Sequence, residues 1–522
     1  MNVENFIISS NCSFDSIQNR FYGYVLSDEA YHYKSNLPQN SKLFRNLRHN
    51  CGVFSCVFKE DSKVLIFTDP LSQYPIFYFH DGDNFCISNS FKVVAKFSKN
   101  EVNRDVVFDC FSYYSPTNNE TLVKGCYTTK PFSYIEIDYS SGKPNFSIIE
   151  FELEDCHENY DQLLHRVASN FILRAKSILE HHKPVVHLTG GLDSRLALAA
   201  IMKASSSPQD YSVFCFGTEQ NEDKLIFNHL CKKFSLYPGG MLINGINIDS
   251  VKKLQYASKS FNGLKYTNQQ NFYFSWTPNH SEVTGYFSGG LLKGFGNYFS
   301  QGKFIPFSYT SKVSEIPKYV FNASAFRLYS EINNYRRNYI SKENLLYISN
   351  RSKCHFGVHS VVNNTSFHSF DILYDPDLIH LFNACPYSIE EKNCGAIITD
   401  LIEVIAGTEL AFFPLAGKTL PVYREISLRD NEDNCFIKCK LPKNCDDYVI
   451  KTNSSYQRVS EREVDVFYQD FNHLCSELKL PREIISFITS FIYDEERLSK
   501  VEKTVLYSLI GYLHYIYSDD DC

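Results

Sequence analysis

In Val185-Val186-His187-Leu188-Thr189-Gly190-Gly191-Leu192-Asp193-Ser194-Arg195 an apolar run breaks at two glycines, and the alanine- and leucine-rich run Leu196-Ala197-Leu198-Ala199-Ala200-Ile201 follows at once. That order reads as a buried strand, a tight turn and a helix beginning at Ser194. Two glycines let the backbone come close to an anion, and the first N–H groups of the helix point at it. Thr189 and Ser194 add hydroxyl donors, and the Asp193 carboxylate is a ligand suited to Mg²⁺. The plainer alternative is an ordinary strand-to-helix turn in which Asp193 or Ser194 is only an N-cap.

The flanking pattern extends this unit. Leu164, Val167, Ala168, Phe171, Ala175, Ile178 and Leu179 share one helical face, and the helix stops at His181-His182-Lys183-Pro184. After the turn Ser205-Ser206-Ser207-Pro208, Tyr211 to Phe216 reads as a second strand. Strand, helix and strand in this order form a doubly wound α/β unit, whose ligands bind outside the carboxyl ends of the strands. Phe216 and Gly217 fall on that edge. Residues 1–152 read differently, as β-rich. Val53–Phe58 and Lys63–Phe67 are strand-like, with turn residues 59–62 between them, and Ile76–His80 and Phe85–Ser88 flank the turn Asp81-Gly82-Asp83-Asn84. Ile484–Tyr517 reads as strongly helical.

Bulk properties remove several classes of function. The 522 residues allow two or three domains. A net charge of −7 speaks against a general nucleic-acid binder. No apolar run approaches the roughly 18 residues of a membrane span, and Met1-Asn2-Val3-Glu4-Asn5 lacks the features of a secretory signal. The 17 cysteines are scattered through a large chain, which implies reduced thiols and a cytoplasmic location. Cys435, Cys439 and Cys445 lie close together without a histidine and read as free thiols, a zinc site being the alternative. Nothing in the sequence bears on oligomeric state.

The loop Thr189-Gly190-Gly191-Leu192-Asp193-Ser194 resembles the pyrophosphate-binding Ser-Gly-Gly-Leu-Asp-Ser of the asparagine synthetase-like ATP pyrophosphatases, with threonine keeping the first hydroxyl. Downstream, Thr284-Gly285-Tyr286-Phe287-Ser288-Gly289-Gly290-Leu291-Leu292-Lys293-Gly294 matches, without gaps, the length of that family's second signature, Ser-Gly-x-Gly-x-Asp-Glu-x-x-x-Gly. Cys51-Gly52-Val53-Phe54 and the turn from Asp69 to Tyr78 are similar to its glutaminase-type N-terminal domain. The resemblance implies an Ntn-hydrolase-like α+β domain over 1–152, a doubly wound α/β ATP-pyrophosphatase domain over 153–424, and a mostly helical extension over 425–522. It implies ATP and Mg²⁺ as cofactors and a small-molecule or peptide carboxylate joined to an amine or ammonia. Leu188, Thr189, Gly190, Gly191, Leu192, Asp193, Ser194, Phe216, Gly217, Gly285, Ser288 and Gly289 would hold the nucleotide and Asp193 the metal. Lys293 and Lys418 would neutralise charge during catalysis.

The departures matter as much. A glutaminase of this family carries its nucleophilic cysteine directly after the initiator methionine, where this chain has Asn2, and an internal Cys12 cannot supply the required α-amino group. Glutamine hydrolysis is therefore not expected, as in β-lactam synthetases and lasso-peptide cyclases. Gly289-Gly290 stands where the family has Asp-Glu. Ser369-Phe370-Asp371-Ile372-Leu373-Tyr374-Asp375 resembles the family's Arg-x-Pro-Phe-Leu-Asp without its arginine or proline. Pro414-Leu415-Ala416-Gly417-Lys418 resembles Pro-x-x-x-Lys, but the helix before it, with Gly395–Asp400, lacks the usual lysine. Asp223 falls where the family has an acidic residue, and also reads as an ordinary loop aspartate. The expectation is an amide-forming, AMP-releasing ligase. Its rival is a pseudo-enzyme that binds nucleotide and serves as a partner. A sulfur- or nucleotide-modifying ATP pyrophosphatase would leave the β-rich N-terminal region unexplained.

Overall fold

The computed structural model describes residues 5–26, 31–33, 41–45, 51–99, 101–113, 115–151, 156–215, 221–239, 242–244, 264, 274–276, 280–293, 299–300, 303–304, 323–324, 326–328, 330, 344, 347–366, 368–416, 482, 485–486 and 500–517. It is a mixed α/β protein with several sheets.

The strands β1 (Ile7–Ser9), β2 (Arg20–Leu26), β3 (Tyr31–Tyr33), β4 (Cys51–Glu60), β5 (Lys63–Thr68), β6 (Phe77–Asp81), β7 (Asn84–Ser88), β8 (Cys126–Thr128), β9 (Ser133–Asp138) and β10 (Asn145–Glu150) make two antiparallel sheets. Their orders are β1-β7-β6-β8 and β10-β9-β5-β4-β2-β3. β4 runs through Glu60, so its hairpin with β5 closes on Asp61-Ser62 alone, and Asp61 takes the left-handed conformation (φ 54°) that aspartate tolerates. Alternation along the strands sends Val57, Ile66, Tyr78, Ile87, Ile135 and Ile137 into one core shared by the two sheets. The opposite face of the larger sheet is covered by Phe44 from the short helix α1 (Lys42–Arg45), among Phe21, Phe54, Phe58 and Phe67. Helices α2 (Phe91–Ser98) and α3 (Arg104–Tyr113) pack with Phe77 and Cys86 on the outer face of the smaller sheet.

From residue 156 the architecture changes. Helix α4 (Tyr160–His181) starts at a reciprocal capping box between Asn159 and Gln162. It turns directly into β11 (Lys183–His187), with Pro184 at the strand's start, where a missing N–H is tolerated. There follow α5 (Leu192–Ala204), β12 (Ser212–Phe214), α6 (Glu222–Phe234), the antiparallel pair β13 (Leu242–Asn244) and β14 (Phe274–Trp276), β15 (His280–Thr284), α7 (Tyr286–Leu292), and the small hairpin β16 (Phe299–Ser300) and β17 (Lys303–Phe304). A π-helix (Tyr347–Gly357) runs into α8 (Val358–Ser366), before β18 (His368–Asp371), α9 (Leu378–Ala384), α10 (Ile389–Asn393), α11 (Ala396–Ala406), α12 (Thr408–Ala411) and α13 (Lys500–Tyr517). Strands β12-β11-β15-β18 form a parallel sheet. Helix α5 is apolar on every side because it lies between that sheet, α4 and α11, and Leu196 to Ile201 are all inaccessible.

The helix begins at Leu192, two residues before the expected Ser194, because the extended backbone of Gly191 supplies the N-cap. The second strand is shorter than Tyr211–Phe216, ending at Phe214. All four parallel strands end on one edge, which therefore gathers the segments at 188–191, 285 and 372–375. Among the described residues no helix is long and apolar enough to cross a membrane, and no two of the described cysteines form a disulfide. Cys435, Cys439 and Cys445 lie outside the described residues.

The antiparallel and parallel halves share one continuous core, in which Tyr24, Leu26, Val53 and Phe132 join Phe171, Leu192 and Phe370. Polar bonds knit the same seam. Arg174 of α4, 2% exposed, donates to Asp375 Oδ2 (2.7 Å), to the Tyr374 carbonyl (2.9 Å) and to Cys51 Sγ at the head of β4. The Tyr374 hydroxyl donates to Asp69 Oδ1 and accepts from the Leu71 amide. Helix α13 packs its apolar face against α2 and α3 and shares their core with Cys354, Val358 and Val362, so it sits on both halves. Asp375→Ala strips the carboxylate from a buried guanidinium. It should destabilise the protein by about 3–5 kcal/mol in equilibrium urea unfolding, whereas Glu101→Ala, which breaks the exposed pair with Lys124, should change stability by less than about 1 kcal/mol.

Candidate functional site

At the carboxyl end of β11, Leu188 is anchored by its amide to the Phe214 carbonyl (2.8 Å). The following loop is held from within. The Thr189 amide donates to Ser194 Oγ (3.0 Å), the two hydroxyls lie 3.0 Å apart, and the Gly191 amide donates to Thr189 Oγ1 (3.3 Å). Asp193 and Ser194 sit inside the first turn of α5, and neither is its N-cap. The Gly190 amide donates to Asp223 Oδ1 (2.8 Å). Asp223 belongs to the first turn of α6, whose N-cap is Asn221, so it is a helical residue bonded to the loop and not the loop aspartate of the plainer expectation.

Gly190 is glycine because a Cβ there would lie 2.6 Å from Ala416 Cβ and 3.0 Å from Asp223 Oδ1. Its need for space comes from protein packing. A Cβ on Gly191 would meet only Thr189 Oγ1, so that side of the loop is open. The donors that α-helix geometry leaves without intrahelical acceptors are the amides of Leu192, Asp193 and Ser194.

The second loop presses on the first. A Cβ on Gly285 would come within 2.5 Å of the Asp193 carbonyl oxygen. Lys293, at the C-cap of α7, reaches back so that its Nζ lies 2.8 Å from Asp193 Oδ2, and each side chain is about a third exposed (31% and 32%). A pair this open is worth at most about 1 kcal/mol, so an arriving anion can break it. Asp193 Oδ1 is buried and makes no hydrogen bond among the described residues. Where the resemblance has its acidic pair, Gly290 faces the Tyr347 ring of the π-helix, 1.7 Å from where a Cβ would sit. The Tyr347 hydroxyl donates to the Phe287 carbonyl (3.0 Å).

Asp371, at the end of β18, accepts the Phe287 amide at Oδ2 (2.9 Å) and the Leu373 amide at Oδ1 (3.2 Å). Burial is the main cause that pushes its carboxyl up to about 7, with the nearby Asp193 charge adding to it. Arg195, wholly buried in α5, donates to the carbonyls of Leu410, Phe413 and Pro414. It thereby fixes the 413–416 segment, whose Ala416 amide donates to the Gly190 carbonyl (3.3 Å).

The structure thus brings together Leu188 to Ser194, Gly285 and Lys293. Ser288 and Gly289 lie in α7, and their surroundings fall outside the described residues, as do Phe216, Gly217 and Lys418 altogether. Arg195, Asp371 and Tyr347 were not among the candidates. A charged residue inside an otherwise apolar helix is a signal that could have found Arg195; Tyr347 had no local signal. Among the described residues no cluster of three or more His, Cys, Asp and Glu side chains could hold a metal ion. A cavity of about 1020 Å³ lies at the opposite, amino-terminal edge of the sheet, lined by Lys176, Lys183, His182 and His368 but also by Glu180 and Asp210. Its mixed charges select no ligand class. The chain matches no protein-family model and no curated protein.

Two outcomes are expected. Between pH 4 and 7 the folded state holds the Asp371 proton while the unfolded chain releases it, so this residue makes stability fall as pH rises through that window. Asp371→Asn should flatten the fall by up to one proton in unfolding followed against pH. Gly290→Ala should cost about 1–3 kcal/mol through overpacking, and most of that loss should disappear in a Tyr347→Ala background.

Proposed function

We propose that the chain is an AMP-forming carboxylate–amine ligase of the asparagine synthetase-like kind. Its ATP-pyrophosphatase domain would occupy residues 153–424, and an Ntn-hydrolase-like domain over 1–152 would lack glutaminase activity. The observation that carries this reading is the meeting of two loops at the carboxyl edge of a parallel sheet. The Thr189–Ser194 loop lies at the N-terminus of α5, and the second loop leans on it through Gly285, with Lys293 turned toward Asp193. Open-sheet α/β proteins bind ligands at this edge, and a helix N-terminus there favours an anion.

The reaction follows from that placement. ATP lays its phosphates along the first turn of α5, within reach of the Leu192, Asp193 and Ser194 amides and the Thr189–Ser194 hydroxyl pair. A carboxylate oxygen of the acyl substrate bonds to the α-phosphorus, the bond to the bridging oxygen breaks, and pyrophosphate leaves with its charge. An amine or ammonia then bonds to the acyl carbon, AMP departs, and the nitrogen gives up a proton. Most of the protein's share is positioning and charge neutralisation.

Among the described residues Asp193 is the loop carboxylate that would hold Mg²⁺, through the partly exposed Oδ2 now on Lys293; the ion keeps several waters and takes few protein ligands. When bound, the ion would stabilise the departing pyrophosphate. A second reading, a synthetase-like protein that binds nucleotide without turning it over, is favoured by the Tyr347 ring standing over Gly290.

Calorimetric titration with a non-cleavable α,β-methylene ATP analogue tests the site. Binding should be micromolar and stronger with Mg²⁺, and Asp193→Ala should abolish the Mg²⁺ enhancement. Absence of binding by the wild type would sink the ligase reading. Binding with no AMP released from ATP across a panel of carboxylates and amines would favour the second one.

A further inference from the structure

Lys293 occupies the last variable position of the second loop, seven residues after the Tyr286 that opens α7, and it reaches across to the first loop. Four observations define its surroundings. Its ammonium lies on Asp193 Oδ2, while Asp193 Oδ1 has no hydrogen-bond partner among the described residues. Its stem passes Gly395, where a Cβ would lie 3.7 Å from Lys293 Cε and 2.5 Å from Leu192 Cδ1, so the space beside the lysine depends on a glycine with φ +91°. Tyr347 fills the volume over Gly290, leaving no room there for a carboxylate. Asp371 is inaccessible behind Phe287 and Leu373, with both oxygens taken by backbone amides. Among the described residues, the loop pair therefore presents to a ligand one partly exposed carboxylate and one partly exposed cation, bonded to each other.

We infer that Lys293 is an internal counter-ion that exchanges partners. On Asp193 it neutralises the empty site, and when a polyphosphate arrives its ammonium moves onto the phosphate oxygens. The movement is small, because the pair sits beside the amides of Leu192 and Asp193 at the first turn of α5. Three consequences separate this from a lysine that merely holds the loops together. The site takes a pyrophosphate group without any divalent ion, because a cation is already in place. The exchange frees Asp193 Oδ2, so Mg²⁺ binds after or together with the phosphate and not before it. Asp193 also competes with the ligand for Lys293, so removing its charge strengthens metal-free binding. The inference rests on the Proposed function for the identity of the loop as a phosphate site, and it adds to it the order and the metal economy of binding.

The test uses the full chain and inorganic pyrophosphate as the probe, titrated calorimetrically in EDTA and again in Mg²⁺. Wild type should bind pyrophosphate in EDTA. Lys293→Met should weaken that binding by about tenfold or more, as expected for a lost charge-assisted hydrogen bond, and should weaken binding in Mg²⁺ much less. Lys293→Arg, which keeps the charge, should restore binding in EDTA. Asp193→Asn should tighten binding in EDTA severalfold and lose the Mg²⁺ response, and the gain should vanish in Asp193→Asn with Lys293→Met. Thermal unfolding of each variant checks that it is folded, which the partial exposure of both side chains favours.

Equal losses for Lys293→Met with and without Mg²⁺, or an Asp193→Asn gain that persists without Lys293, would overturn the exchange. If the wild type still bound the ATP analogue, the ligase reading would survive. A wild type that bound neither pyrophosphate nor the analogue would overturn both.

Discussion

The guanidinium of Arg174 is where the two halves of this protein become one. It lies in the middle of α4, out of reach of water, and it must find its partners inside the molecule because a buried charge left without them carries a penalty of several kcal/mol. It finds them on both sides of the seam: the Asp375 carboxylate and Tyr374 carbonyl after β18, and the Cys51 sulfur at the start of β4. That fixes the segment after β18, and the Tyr374 hydroxyl then reaches Asp69 in the antiparallel half. Burial pushes the Asp69 carboxyl up to about 6, opposed by the donors around it, so the bond network there stays coupled to its protonation. The edge on which the loops meet is thus braced from below by a charge network and not by apolar packing alone.

The π-helix contributes to both the seam and the site. Its buried face is polar: Asn350 donates to Ser115 Oγ and the Pro116 carbonyl, Gln73 donates to Ser352, and the wholly buried Lys353 donates to Asn119, Thr128 and the Thr129 carbonyl. These bonds tie 350–353 to the antiparallel half, while Tyr347 at the other end of the same element leans over Gly290. Wide helical turns of this kind are rare and cluster at functional positions. Here the widened turn sets a rigid wall beside the second loop, and the loop accommodates it by having no side chain at 290.

Local chemistry in the sequence foretold much of the edge. The hairpin of β4 and β5 and the passage from β11 through two glycines to α5 follow from apolar patterning and turn residues within a few positions, whereas Gly285 was singled out by the resemblance of the second loop. The start of α5 differed by two residues because Gly191, extended and without a side chain, caps the helix by itself. The pairings that give the site its character join residues far apart in the chain. Lys293 and Asp193 are 100 positions apart, Arg195 and Phe413 are 218, and Lys353 and Asn119 are 234. No periodicity encodes such partners. The π-helix was invisible for the same reason, since a helix that buries asparagine, serine and lysine reads as a polar, exposed segment until the groups that satisfy them are in place.

The N-termini of α5, α6 and α7 at this edge differ in how their positive end is already met by the protein. Helix α7 already has its own carboxylate, Asp371, on the Phe287 amide. Helix α6 has Asn221 as its cap and Glu222 and Asp223 in its first turn, with Asp223 further bound to Gly190. Both ends are therefore already supplied with negative charge from within the protein, held there by bonds to backbone amides. Helix α5 also has an acid in its first turn, but Asp193 points its charge at Lys293, and its N-cap Gly191 has no side chain with which to cap the amides that follow. An incoming phosphate can take over the lysine without breaking a backbone bond. Of α5, α6 and α7, α5 alone has its first-turn acid paired with a side chain that is itself partly exposed, and that asymmetry recommends Thr189–Ser194 as the proposed phosphate site.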